Sequence, residues 1–465
     1  MKIKKNYFKL AGLILLIIFC SIFFVEKVGV KDGFTASVSL ILTLYIIISS
    51  KKNIKKSLYL FIISMPILVT ARKVLYLDFF LLKVNFESII ILWLFISNYR
   101  KIKATIDKFI NKNKYFMYLI ILFIVSAYIS CIFSNDLKNS VELVTTSVLI
   151  PVMIGALAIT YFEKKDIKFI IYSLIISVNL SCLYGIVQIL GDGLNLHNII
   201  KSRGLITFGY HNVNIFVNIA LMVFPLLLNE LLYKKNNLKE KVFLIISGLL
   251  QSGCIFITFS RGAWLSLGLV IFLILFSKKY KYLFLVIIVS ATLISPIALP
   301  KILGRGDSSI HFLQNTSNTA RVLSIVVSKD SIKDNIFGVG YGRFNEIYRE
   351  TADDAYMSLD YNIRKNMLTP LYSLEHAHNF FLNIGVELGL FSLISIVLIF
   401  IYGIINCLKN YKFNRGIFTS LILFIFIGVT TGIELNHKGV LTNTYILWLL
   451  FSIIIINNSK IEEEN

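Results

Sequence analysis

The chain has 465 residues, 56% of them hydrophobic and 16% charged, with a formal net charge of +21 and a mean hydropathy of +0.76. Ordinary soluble proteins carry about 25% charged residues, so a string of soluble domains is excluded, and the chain lacks the period-2 alternation of a transmembrane β-barrel. The excess of Lys and Arg is explained by membrane topology, which collects these residues in cytoplasmic loops, and not by a nucleic-acid partner.

Apolar runs lie near 7–25, 34–50, 57–71, 84–98, 115–133, 141–161, 167–190, 212–232, 242–259, 262–277, 283–299, 380–406, 417–433 and 442–457. Most are long enough to cross a hydrocarbon core about 30 Å thick. They predict an all-α polytopic membrane protein with about fourteen spans, or twelve to thirteen if the short runs at 57–71 and 84–98 re-enter. The first run, after Met-Lys-Ile-Lys-Lys, reads as a retained span and not as a cleaved signal. Cys20, Cys131, Cys182, Cys254 and Cys407 all fall within apolar runs and form neither a disulfide framework nor a metal-ligand spacing.

Orientation follows from the basic residues. With the N-terminus inside, the inner segments hold 27 Lys and Arg against 10 in the short outer connections. Short loops are the ones that decide topology, so both termini are expected in the cytoplasm. All six histidines, His197, His211, His311, His376, His378 and His437, then fall on the outer side. The inner loops are short and Lys-rich, so the active face is expected to be extracytoplasmic.

The chain divides on this reading into N-terminal spans (1–199), a region expected to be catalytic (200–406) with a large outer loop (300–379), and C-terminal spans with a short tail (407–465). Within the middle region, Lys201–Asn212 offers Arg203 and then His211 and Asn212 at the start of a span. Phe259–Leu265 sits at the tip of a short hairpin, where Arg261 lies at headgroup depth with a fork suited to phosphate oxygens. An arginine snorkelling beside interfacial Trp264 would look the same.

The large loop carries 9 basic and 9 acidic residues, a balance expected of a folded segment. Asn318 is placed as the N-cap of a helix that includes Arg321 and puts Val322, Ile325 and Val326 on one face. Gly338-Val-Gly-Tyr-Gly342 reads as a turn; without a preceding buried strand it is no nucleotide loop. The loop ends at His376-Ala-His378-Asn379. A histidine at the membrane surface can serve as a general base near neutral pH. A zinc site on His-x-His would need further ligands, so no metal is assigned. Glu387, about two turns into the following span, is a costly ionisable group that needs a partner or a wet cavity.

Taken together, residues 200–400 resemble the O-antigen ligase / surface-polysaccharide polymerase family of membrane proteins. The resemblance rests on Ser260-Arg-Gly-Ala-Trp264, on Ala320-Arg-Val-Leu-Ser324 followed by Asn335–Phe344, and on His378-Asn379 with Gly389 beyond. Ser392 stands where the family prefers Gly, Thr or Tyr, and His211 where it often has Pro.

The resemblance implies transfer of a glycan from an undecaprenyl-pyrophosphate donor to an acceptor hydroxyl, on the outer face of the cytoplasmic membrane, with neither cofactor nor metal. His378 is the implied base and Arg261 and Arg203 the clamps on the leaving pyrophosphate. Arg321, Asn379, His376, His211, Asn212 and Glu387 are the implied substrate-binding residues. The expected partners are the lipid-linked oligosaccharide, a glycan acceptor, membrane lipid and polysaccharide-assembly proteins. A polymerase adds the chain to another lipid-linked repeat unit, whereas a ligase moves it to a lipid, protein or wall anchor; the residues do not separate the two, and the polymerase is the narrowly preferred expectation. A flippase or transporter fits less well, because the span centres are nearly free of charge and no two halves look like repeats.

Overall fold

A computed structural model describes residues 17–26, 29–71, 77–79, 82–192, 206–210, 212–258, 260–275, 279–280, 282, 285, 312–314, 316–370, 373–430 and 432–458, and of Arg261 the backbone alone. The apolar run at 283–299 therefore lies almost wholly outside the described residues.

The chain is an all-α polytopic membrane protein. Its helices are α1 (Ile17–Glu26), α2 (Val30–Ser50), α3 (Ile54–Thr70), α4 (Phe86–Ser97), α5 (Tyr99–Ile132), α6 (Leu137–Val144) and α7 (Ile150–Tyr161). Then follow α8 (Ile167–Asp192), α9 (Val213–Tyr233), α10 (Leu238–Ile257) and α11 (Arg261–Leu275). The large loop holds α12 (Thr316–Asp334), α13 (Phe344–Ser358) and α14 (Tyr361–Arg364), and the chain ends with α15 (Phe380–Leu388), α16 (Leu390–Lys409), α17 (Tyr411–Thr430) and α18 (Thr442–Asn458). Eight segments among the described residues are long and apolar enough to cross a membrane. A two-stranded antiparallel hairpin, Leu77–Phe79 with Leu82–Val84, precedes α4 and leaves the helical class unchanged.

Two boundaries differ from the sequence reading. The Lys-rich stretch 100–114, expected as a connection, continues as helix into the next span, with a kink at Asn113 (φ −130°, ψ 42°). Ile102, Ile106 and Phe109 recur at helical spacing and pack on the core, while the Tyr402 hydroxyl donates to Asn113 Oδ1 at 2.8 Å across the kink. The run 380–406 is in turn broken at Gly389, which has φ 88°. A Cβ there would lie 2.5 Å from the carbonyl carbon of Phe337, and the Leu390 N–H donates to the Ile336 carbonyl at 2.8 Å. The large loop thus wedges between α15 and α16, and Glu387 lies on a nine-residue helix that precedes the candidate span Leu390–Lys409.

The bundle is held together as membrane helices are, by small residues and interhelical hydrogen bonds. Central α9 is buried almost along its length. A Cβ on Gly416 of α17 would come within 2.9 Å of Asn229 Cβ on α9, and the Ser420 hydroxyl donates to the Met222 carbonyl at 2.7 Å. Ser126 and Ser392 meet at 2.7 Å between α5 and α16.

The large loop folds over its own core of Ala320, Leu323, Val327, Phe344, Tyr348, Ala352, Ala355, Leu374 and Val386. The helix expected near Asn318 begins at Thr316, so Asn318 lies inside its first turn and not at the cap. Its buried face runs through Ala320, Leu323, Ser324, Val327 and Ser328, whereas Ile325 is 51% exposed. Small serines let this helix sit close to its neighbours, so the buried stripe is centred away from Ile325, while Val322 and Val326 pack at its edge.

Candidate active site

The segment His376–Asn379 is fixed from both sides. Asn379 caps α15, its Oδ1 accepting from the N–H groups of Phe381 at 3.0 Å and Leu382 at 3.2 Å. The Ala377 N–H donates to Asn383 Oδ1 at 3.0 Å, and its carbonyl accepts from the Ser324 hydroxyl of α12 at 2.8 Å. With Ala377 pinned, the rings of His376 and His378 come to 4.4 Å between centroids. His378 has φ 50°, a left-handed conformation that is uncommon for a residue with a side chain. Gly432, just after α17, makes room for it: a Cβ on that glycine would lie 2.7 Å from His378 Cα.

The connection between α17 and α18 supplies the centre of charge. Glu434 Oε1 lies 2.7 Å from His376 Nδ1 and 2.8 Å from His437 Nδ1, and all three side chains are mostly buried. Burial works against the charge on Glu434, but the hydrogen bonds and charges of the two histidines outweigh it and bring its pKa down to about 2. Burial likewise opposes charge on His376, and Glu434 outweighs it and raises the histidine above its usual value. The contact therefore favours the carboxylate–imidazolium form of the pair. His437 Nε2 is also 3.4 Å from Asn212 Nδ2, so the 201–212 connection reaches the same cluster.

A second carboxyl stands beside this one. Glu387 accepts from the Phe344 N–H at 3.2 Å and from Asn383 Nδ2 at 2.9 Å. Burial, with a further push from Glu434, raises its pKa to about 8 despite those donors. Two carboxyls in one place are thus driven apart, one ionised and one neutral, which is the usual basis for dividing acid and base roles.

Both face a cavity of about 150 Å³, lined also by His376, Tyr341, Lys438 and Asn436. Its far wall comes from the N-terminal half, with Asn85 before α4 and Glu142 and Thr146 around α6. A π-helical turn, Thr145–Leu149, continues α6, and Asn436 Nδ2 donates to its Ser147 hydroxyl at 3.0 Å. The Gly-x-Gly-x-Gly turn closes one edge. Gly340 has φ 94°, and a Cβ there would strike Ser134 at 2.4 Å, so the expected turn is present and also lets the loop dock on α5 and α6.

The sequence candidates are brought together unevenly. His376, His378, Asn379 and Glu387 share the site, and Asn212 reaches it as the N-cap of α9, its Oδ1 accepting from Asn214 and Ile215. Arg321 lies one turn before Ser324, the residue that bonds Ala377. Its half-buried guanidinium has no hydrogen-bond acceptor for Nε among the described residues, and burial lowers its pKa. The Arg261 backbone opens α11, at the end of the bundle that carries the histidines. Arg203 and His211 lie outside the described residues.

Sequence reasoning missed Glu434, His437, Glu142 and Asn85. A signal for the first two was present: Gly432-Ile-Glu-Leu-Asn-His-Lys-Gly439 packs polar groups and two glycines between apolar spans. The side-chain atoms of His376, Glu434 and His437 lie within 4.8 Å of one another, so these three, and not the His-x-His pair, are the described residues that could hold a metal ion. Both histidine nitrogens already meet the same carboxylate oxygen.

Residues 246–397 match the O-Antigen ligase family model. No curated protein matches the chain. The matched stretch begins within α10, runs through Arg261, the large loop and His378, and ends in α16; Glu434 and His437 lie beyond it. Helices, loop and histidine segment agree with the match: over residues 246–397 this membrane protein is similar to the O-antigen ligase family.

Proposed function

We propose that the chain is a surface-polysaccharide polymerase acting at the outer face of the cytoplasmic membrane. The observation that carries the reading is the cavity lined by His376, an ionised Glu434 and a neutral Glu387, with the His378 ring packed on that of His376. The donor is a glycan on undecaprenyl pyrophosphate and the acceptor is a sugar hydroxyl. The bond from the anomeric carbon to the pyrophosphate oxygen breaks, and the acceptor oxygen takes its place on that carbon. The hydroxyl proton passes to His378, and the pyrophosphate leaves with the electron pair.

Fixed cations stabilise the charge that develops on that leaving group. His376, whose charged form Glu434 favours, and Arg321, with its unsatisfied Nε, suit this role on the loop side. Arg261 and Arg203 supply it from the other two connections. Glu387, neutral near pH 7, can donate a hydrogen bond to a sugar oxygen, and Glu142 across the cavity can accept one. Neither step draws on a metal or a cofactor. Asn379 and Asn212 hold the histidine segment and α9 in place and keep an amide N–H₂ each for substrate, and His211 lies next to the latter.

The test is the lipid-linked material in a strain lacking the gene. A polymerase predicts a ladder collapsed to single repeat units on undecaprenyl pyrophosphate. Full-length polymer left unattached would instead assign a ligase.

A further inference from the structure

The other end of the bundle carries a second built cavity. It encloses about 300 Å³ between the start of α8, the end of α9 and the start of α17. Helix α9 joins the two sites: Asn212, at the histidine cluster, precedes Val213, and the cavity lies beyond Tyr233. Its 21 residues span about 30 Å, one hydrocarbon thickness. The second cavity therefore sits at the opposite membrane interface.

Its walls are mostly cationic. Lys164, Lys168, Lys234 and Lys235 line it beside one buried carboxyl, that of Glu230. Lys168 is paired with Glu240 at 2.6 Å, but among the described residues Lys164, Lys234 and Lys235 have no carboxylate within 4.0 Å. Lys164 and Lys234 instead converge on one ring, with Nζ 4.9 and 5.4 Å from the Phe413 centroid. Both ammonium groups border the cavity beside that ring, where one anion could meet both. The floor is polar as well: Asn229 is only 4% exposed, and its Oδ1 has no hydrogen-bond partner. A buried amide oxygen without a partner is costly, and a hydroxyl of a glycerol headgroup is a donor that would satisfy it.

We propose that this cavity binds the phosphate of an anionic phospholipid headgroup. A lipid fits better than a soluble anion because the cavity lies at the interface, where Phe413 is 43% exposed and can meet acyl chain. The positive-inside count puts this end in the cytoplasmic leaflet, where polybasic sites meet anionic lipid. The proposal stands apart from the transfer chemistry.

The test is native mass spectrometry of the full-length protein in detergent, titrated separately with dioleoyl phosphatidylglycerol, dioleoyl phosphatidylcholine and inorganic phosphate. A lysine beside such a headgroup is worth roughly fivefold in affinity. The K164Q/K234Q variant should therefore bind phosphatidylglycerol about twentyfold more weakly, and K235Q, altered at an exposed residue that folding does not need, about fivefold more weakly. A control, K51Q/K52Q, changes exposed lysines at the same end and should bind as the wild type does. Equal binding of the two lipids by the wild type, or undiminished binding by K235Q, would overturn the proposal. Displacement of the lipid by equimolar inorganic phosphate would assign the site to a soluble anion and overturn the lipid reading.

Discussion

Nδ1 of His376 lies 2.7 Å from Oε1 of Glu434, and this contact ties the end of the large loop to the connection between the last two spans. His437 shares the same oxygen at 2.8 Å. The family match includes His376 and stops before Glu434, so the charge that sets the histidine comes from outside the matched domain.

Glu434→Gln keeps the shape and removes the charge. Hydrogen bonds to charged groups are worth about 1.5–3 kcal/mol, and loss of one partner from a buried pair costs about 3–5 kcal/mol. The variant should lose about 3 kcal/mol of stability, read as a lower Tm in detergent. His376 should also lose its proton at lower pH, visible as an acid shift of its imidazole resonances. An unchanged titration would mean that Glu434 does not set the charge.

Gly432→Ala tests the position of His378 without touching it. The new Cβ would fall 2.7 Å from His378 Cα, at φ 77°. Backbone strain of that kind costs about 1–3 kcal/mol, and the histidine backbone must move. Transfer activity should fall at least tenfold while the protein still elutes as a folded species. Activity equal to wild type would show that the placement of His378 is not required.

The two carboxyls pull the pH dependence in opposite senses. Glu434 is depressed to about 2, so its contribution is complete above its ordinary 4.5 and is lost as pH falls towards 2. His376 is raised, so its contribution is complete below the ordinary 6.5 and is lost as pH rises through the folded value. Glu387, raised to about 8, binds its proton more tightly when folded, so it makes stability decline as pH climbs from 4.5 to 8. Wild type should lose Tm steadily between about pH 6.5 and 8, and Glu387→Gln should lose less. A Tm difference between the two proteins that does not change with pH would contradict the assignment.

Much of the architecture was legible because membrane helices announce themselves by length and apolarity. The loop's end at His378 was legible because histidines and glycines there interrupt an apolar pattern. The break at Gly389 was not, since its cause is the approach of Phe337 from across the loop. Nor was the helix through 100–114, where Ile102, Ile106 and Phe109 carry a narrow apolar stripe inside a lysine-rich stretch. The N-terminal wall, Asn85 and Glu142, is set by packing between distant helices, and no local pattern marks it.

The most direct test of the account is turnover by purified protein given undecaprenyl-pyrophosphate-linked repeat units, with wild type and His378→Ala compared in detergent. General-base catalysis contributes typically 10²–10⁴-fold, so the variant should lose a hundredfold or more in rate while Tm stays near the wild-type value. Turnover within a few-fold of wild type would contradict the central claim that this segment carries out the transfer.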